Sequence, residues 1–116
     1  MRLELRDYPE LIAEKELALL RLDRQITRDK NALESAINEI EREIAFDEEL
    51  RNDHQRRAKK HEMLTSQAWY EELTARIAET EGEIRRMSIE LNLLRNQFSL
   101  EKLLLRERVA MAEMAA

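Results

Sequence analysis

The sequence predicts an all-α protein, namely a long antiparallel helical hairpin of the coiled-coil type with a bend or short middle helix near residues 46–64. The 116 residues include one glycine and one proline, while 39% are charged and 43% are hydrophobic. A β-sandwich or a nucleotide-binding α/β fold needs clusters of turn-forming residues, which this chain lacks. Its abundant Ala, Leu, Glu, Arg and Ile are typical of long helices. Apolar residues also recur every seven positions, the spacing of a coiled coil.

The first helix is predicted over about residues 9–45. In the stretch Asp7-Tyr8-Pro9-Glu10, Asp7 is a candidate N-cap, Glu10 completes the capping-box spacing, and proline fits the first turn. A seven-residue apolar stripe follows, with Ile37 and Ile44 at the companion position. The stripe contains Ile12, Leu19, Ile26, Leu33 and Ile40, and its register continues through Asp47, His54 and His61.

The middle of the chain breaks the apolar pattern, because Asp47 and Arg51 occupy positions of the seam. Asn52 followed by Gln55 has the spacing of a helix cap, which predicts a short helix over about 52–64. A first helix that continues without interruption to residue 62 is the alternative.

The last helix is predicted over about residues 66–112, with Thr65 and Ser66 as its cap. Its main stripe contains Tyr70, Ile77, Ile84, Leu91, Phe98, Leu105 and Ala112. The companion position holds Leu73, Met87 and Leu94, interrupted by Thr80, Glu101 and Arg108. The three helices are predicted to form one domain, residues 1–116.

Charge favours a hairpin that folds back near residues 63–66. Basic segment 51–62 would then face acidic segment 70–83, and acidic segment 39–49 would face basic segment 84–95. Exposed ion pairs contribute about 0–1 kcal/mol each, so the match selects orientation rather than stability. We call the cations of the first segment the basic cluster: Arg51, Arg56, Arg57, Lys59 and Lys60. The cluster is expected mainly to neutralise the acidic arm opposite, and phosphate binding is the alternative.

The helices carry more apolar residues than one intramolecular seam requires. The excess lies at the end of the hairpin away from its tip and includes Leu20, Ile89, Leu93, Leu100, Leu103 and Leu104. Such a band would be exposed in a monomer, and exposed bands usually mark interfaces. We therefore expect a homo-oligomer, most simply a dimer that forms a four-helix bundle. Trp69 and Tyr70 are expected to cover the hairpin tip.

No residue pattern in the chain indicates catalysis, a cofactor or a metal site. There is no cysteine. His54 and His61, seven residues apart, would lie about 10.5 Å apart along a helix, too far to share a metal. Glu39, Glu43 and Asp47 are expected to form a solvated acidic face. Without a Ser/His/Asp set, a glycine-rich phosphate loop or a concave pocket, we expect a protein that is not an enzyme.

Two stretches, AFDEELRNDHQRRAKKHEML and LNLLRNQFSLEKLLLR, resemble small coiled-coil proteins of bacterial phages and mobile elements. In those proteins an Asn-x-x-Gln-Arg-Lys-Ala-like segment precedes a tyrosine-containing helix. The resemblance covers about half of the chain, and Arg57 stands where lysine is expected. It implies a small accessory protein near DNA recombination functions.

Three hypotheses for function follow. The first is an interaction scaffold that self-associates at the hairpin base and presents its tip to an unknown protein partner. The second is a nucleic-acid-associated accessory protein that uses the basic cluster, which the net charge of −5 makes less favoured. A type III secretion or flagellar-export hairpin has similar size and pattern. The start of the chain lacks an apolar signal region and no stretch approaches a membrane span, so a soluble cytoplasmic protein without membrane contact is expected.

Overall fold

The computed structural model describes residues 3–116, and these are 89% helical. A short 3-10 turn, Leu5–Asp7, leads into helix α1, Tyr8–Ala45. Helix α2 covers Asp53–Thr65 and helix α3 covers Ala68–Ala115. No strand occurs within the described range. The predicted all-α helical hairpin, with its short middle helix, is confirmed.

The chain divides into two compact units. The base unit consists of the N-terminal segment that ends at Leu22 together with Glu83–Ala116. The tip unit is Asp23–Gly82. Both long helices contribute to both units, since the division falls inside α1 and inside α3.

The start of α1 is stabilised one turn earlier than the sequence suggests. Asp7 was predicted to cap the helix with Glu10 as its partner. Instead, the Asp7 carboxylate accepts a hydrogen bond from the backbone N–H of Glu4 at 2.8 Å. Asp7 is therefore the third residue of a 3-10 turn that begins after Glu4, and Tyr8 continues directly from that turn into α1.

The chain reverses direction at residues 46–52, between α1 and α2, and the predicted reversal at 63–66 is wrong. Helix α2 runs back along the end of α1, because Leu64 packs against Ile40 and Ile44 and Lys60 Nζ donates to Glu41 Oε1. The basic segment thus lies beside acidic segment 39–49 rather than against 70–83. These two segments are neighbours in the sequence, so a tight turn is enough to pair them.

The cap of α2 matches the sequence pattern, whereas the predicted cap of α3 does not. Asn52 Oδ1 accepts from the backbone N–H of Gln55 at 2.9 Å, and Gln55 Oε1 accepts from the N–H of Arg51 at 2.8 Å. Thr65 and Ser66 were expected to cap α3. Their hydroxyls instead donate hydrogen bonds to carbonyls of the preceding turn of α2. The carbonyl of Gln67 accepts the first backbone hydrogen bond of α3, from the N–H of Tyr70.

The core of the tip unit is a small aliphatic cluster. Ile40, Ile44 and Leu64 are buried, and they are surrounded by half-buried Ile37, Leu50, Met63, Trp69 and Tyr70. The seam register predicted through Asp47, His54 and His61 ends here, since both histidines are exposed. The reversal at 46–52 explains this, because a register cannot continue through a segment that leaves the helix.

A polar layer interrupts the seam between α1 and α3 in the tip unit. Asp29 lies three residues after Ile26, hence on the same side of α1, and it is only 8% exposed. Arg76 donates to both carboxylate oxygens of Asp29, through Nε at 3.0 Å and Nη2 at 2.9 Å. The hydrogen bond to Asp29 also raises the pKa of the Arg76 guanidinium. Thr80 is 3% exposed beside this layer and donates to the Arg76 carbonyl. The layer therefore contains no unpaired buried side chain.

Replacing Ile40 by alanine should remove the centre of the aliphatic cluster. We expect a loss of about 2–5 kcal/mol in the free energy of unfolding, because a cavity is added to the lost transfer energy. Urea denaturation followed by circular dichroism measures the loss. Phe46→Ala is the control, since Phe46 is 81% exposed in the same unit and its truncation should change stability by less than about 0.5 kcal/mol. Equal losses in the two variants would show that the cluster is not the core.

Candidate functional site

The most distinctive surface of the protein is an apolar face of α3 that no described part of the chain covers. Ile89 is 70% exposed, Leu93 56% and Leu100 54%. Further along the helix Leu103, Leu104, Val109, Met111 and Met114 are exposed as well. The six residues predicted for an interface, including Leu20 at 44% on α1, are all exposed here. Their role in association stays a prediction.

The exposed residues of α3 follow their own heptad pattern. Alternating steps of four and three residues connect Ile89, Leu93, Asn96, Leu100, Leu103, Glu107, Ala110 and Met114. We call this set the outer stripe. It centres about 160° around the helix from the intramolecular seam, given 3.6 residues per turn. The polar members Asn96 and Glu107 were missed in the sequence interpretation, although their spacing from Leu93 and Leu103 would have revealed them.

The opposite face of α3 packs against α1 within the base unit. Leu91 is buried, and Phe98 stacks on buried Tyr8 with ring centroids 5.4 Å apart. Beyond this contact every residue from 102 to 116 is exposed. Of the predicted seam residues, Leu105 lines a groove with Leu3 and Leu5 of the N-terminal segment, whereas Ala112 lies outside that groove. The start of α1 at Tyr8 explains this exposure, since the first helix is shorter at this end.

Ion pairs between α1 and α3 lie along the base unit and leave the outer stripe free of them. Lys15 Nζ donates to Glu90 Oε2 at 2.7 Å, and Arg95 Nη2 donates to Glu16 Oε1 at 2.9 Å. The hydrogen bond from Lys15, followed by its positive charge, lowers the pKa of Glu90 below its ordinary value. The Lys15–Glu90 pair, taken with the stacking of Tyr8 on Phe98, shows that α1 and α3 run antiparallel in this unit, because the partner residue on α3 moves backward as α1 advances. The two ion pairs were not predicted, since the assumed reversal point placed segment 84–95 against 39–49.

The basic cluster is divided between paired and unpaired cations. Lys60 bonds to Glu41, and Arg56 bonds to Asp53 at 3.1 Å. Within the described residues, Arg51, Arg57 and Lys59 form no ion pair. The expected internal neutralisation is thus partial, and it comes from Glu41 of α1 and from Asp53 of α2 instead of from α3.

A groove of about 500 Å³ lies between the end of α1 and the basic cluster. Its lining consists of Glu41, Ile44, Ala45, Arg56, Arg57 and Lys60. Three of the five predicted cations therefore share one surface, while Arg51 and Lys59 lie outside it. The carboxylate of Glu41 inside the groove reduces its attraction for anions.

Trp69 and Tyr70 are half-buried at the start of α3, with their rings edge to face at a centroid distance of 6.0 Å. They pack against the aliphatic cluster of Ile40, Ile44 and Leu64. The predicted covering role fits this packing, although the cover lies where α2 meets α3 and not at the chain reversal. A second groove, of about 320 Å³, borders Trp69 between Glu39, Glu43 and Met63.

Within residues 3–116 no three His, Asp or Glu side chains lie close enough together to hold a metal ion. No described helix combines the length and the apolar character needed to cross a membrane. Comparison of the chain with protein-family models, curated proteins and solved structures found no match.

The pair of Lys15 and Glu90 should make stability depend on pH in the acidic range. Because the folded pKa of Glu90 is lowered, the stabilisation is complete above the usual glutamate range and is lost as the pH falls through the folded pKa. Lys15→Gln should move the Glu90 titration midpoint upward in carboxyl-detected NMR. The same variant should be less thermally stable than the wild type at neutral pH and equally stable in strong acid.

Lys59→Gln is the control, since it removes the same charge from a residue without an ion pair in the described range. An unchanged Glu90 midpoint in Lys15→Gln would contradict the assignment of the pKa shift to Lys15.

Proposed function

We propose that this chain is a non-enzymatic coiled-coil scaffold protein that binds a second copy of itself through the base unit and presents its tip to a protein partner. The proposed complex is a homodimer in which the outer stripes of the two α3 helices face each other. Because the outer stripe lies on the side of α3 opposite to α1, the four helices would form a layer rather than the four-helix bundle expected from the sequence. The proposal extends to an accessory role in the cytoplasm, as the resemblance to phage and mobile-element proteins implies.

The outer stripe is the observation that carries the proposal. An uncovered run of leucines and isoleucine at heptad spacing has the pattern of a helix that faces another helix. Exposed apolar patches of this extent are costly in a monomer and usually mark interfaces. A second copy is the simplest occupant, because it brings an identical stripe and two-fold symmetry closes the complex.

Placing charge in the outer stripe should separate the copies without unfolding them. Leu93→Glu combined with Leu100→Glu should convert the dimer to a monomer in multi-angle light scattering at roughly tens of micromolar protein, where a weak helical dimer is still populated. Helicity in circular dichroism should be largely retained, because both side chains point away from α1.

Ala75→Glu with Ala78→Glu is the matched control. It adds two glutamates to exposed positions of the same helix within the tip unit, and it should leave the dimer intact. A wild-type protein that is monomeric under these conditions would refute the proposed self-association.

The alternative function is nucleic-acid binding by the basic cluster. It is favoured by one observation, namely that Arg51, Arg57 and Lys59 form no ion pair within the described residues. Against it stand the pairs of Arg56 and Lys60 with acidic partners and the net charge of −5. We therefore rank it second.

Replacing Arg56, Arg57, Lys59 and Lys60 by glutamine distinguishes the two roles of the cluster. We expect a small loss of thermal stability at low salt that shrinks as salt screens the neighbouring carboxylates. Binding of a labelled duplex, followed by fluorescence anisotropy, should be negligible for the wild type and the variant alike.

Tight, salt-sensitive binding by the wild type would reverse this ranking. Each phosphate contact would then contribute about 0.9 to the slope of log affinity against log salt concentration, and the variant would flatten that slope. Replacing Arg21, Arg24, Arg28 and Arg106 by glutamine, all exposed and outside the cluster, serves as the control because it removes the same four charges.

A further inference from the structure

We propose that the two α3 helices of the dimer pair antiparallel along the outer stripe, in one register that is fixed by a polar layer of Asn96 against Glu107 of the partner subunit. This inference rests on the proposed self-association and names the geometry of its interface. It follows from the exposure of the stripe and from the positions of its two polar residues.

In an antiparallel coiled coil, the two alternating seam positions of one helix face those of the other. When α3 is placed against an antiparallel copy so that Leu100 meets Leu103 of the partner subunit, every other layer is determined. Asn96 then meets Glu107, Leu93 meets Ala110 and Ile89 meets Met114, each time across the interface. The two-fold axis repeats all four layers.

This register places apolar residues against apolar ones and the two polar residues against each other. The amide of Asn96 can donate to the carboxylate of Glu107, and a buried polar group needs such a partner. A bulky pair, Leu100 with Leu103, lies next to the axis, and the small Ala110 faces the larger Leu93. Large and small side chains thus alternate as packed layers require.

Other arrangements of the same stripe leave polar groups opposed to apolar ones or to like charge. Shifting the antiparallel register by seven residues places Glu107 against either Ile89 or Leu103 of the other copy. A parallel pairing places Glu107 against Glu107, which brings two carboxylates together. The antiparallel register with the layer of Asn96 and Glu107 avoids both costs.

The residues at the flanks of the stripe agree with this register. Ser99 would lie near Arg106 of the partner subunit, and Asn92 near Glu113 of the partner subunit. Neither pair opposes like charges: the Arg106 guanidinium can donate to the Ser99 hydroxyl, and the Asn92 amide can donate to the Glu113 carboxylate. The exposed end of α3, residues 102–116, would pack against the other copy instead of remaining in solvent.

Cysteine cross-linking tests the orientation directly, because the natural chain has no cysteine. The double variant Ile89→Cys with Met114→Cys should form a covalent dimer on mild oxidation, since a disulfide requires Cβ atoms about 3.5–4.5 Å apart. Each single variant should remain non-covalent, because its two copies of the cysteine would lie about 37 Å apart along the antiparallel pair. Non-reducing electrophoresis at micromolar protein measures the covalent fraction.

The same double-cysteine variant carrying Leu93→Glu and Leu100→Glu controls for random collisions, and it should lose the covalent dimer. A covalent dimer of the Ile89→Cys single variant would overturn the antiparallel orientation. A dimer in light scattering without cross-linking of the double variant would overturn the register while leaving self-association intact. A monomer in light scattering would refute both the proposed function and this inference.

Discussion

A helix with apolar residues on two opposite faces can bury only one of those faces against a single partner helix, and α3 is such a helix in the base unit. Its inner face buries Leu91 and stacks Phe98 on Tyr8, while Ile89 and Leu93 on the outer face remain in solvent. The surface chemistry of the base unit follows from this constraint. The ion pairs of Lys15 with Glu90 and Arg95 with Glu16 join α1 to α3 and leave the outer stripe uncharged except at Glu107.

Polar residues within the seams limit how the helices can slide. A seam of leucine and isoleucine alone has similar contacts after a shift of seven residues, whereas a polar residue in the seam favours a single register. In the tip unit this role falls to Asp29, since Arg76 holds both of its carboxylate oxygens. A shift would leave that carboxylate buried without its partner, which is far less favourable than losing an exposed pair. Asn96 and Glu107 have the corresponding positions in the outer stripe.

The sequence predicted the helices well because each depends on local signals. Heptad spacing defined α1 and α3, and the spacing of Asn52 and Gln55 identified the cap of α2. The reversal point was misplaced because the charges of two segments indicate whether they could pair but do not show which segments a turn brings together. Acidic segment 39–49 could pair with either of two basic segments, and the nearer one, which contains Lys60, is its partner. The Asp29–Arg76 pair was missed because charged residues in a seam look like interruptions until their partner across the interface is known.

The two candidate surfaces differ in how much of their chemistry is already satisfied within the chain. In the basic cluster, Lys60 and Arg56 have acidic partners, and Glu41 shares the groove that would receive an anion. An incoming phosphate would have to compete with these carboxylates, and the gain from each exposed contact is small. The outer stripe has no such competitor, because its leucines are more than half exposed and the transfer of that exposed apolar surface from water is favourable. The outer stripe is for this reason the surface that we propose for self-association, and in that proposal a partner of the tip would bind to residues that the dimer leaves exposed.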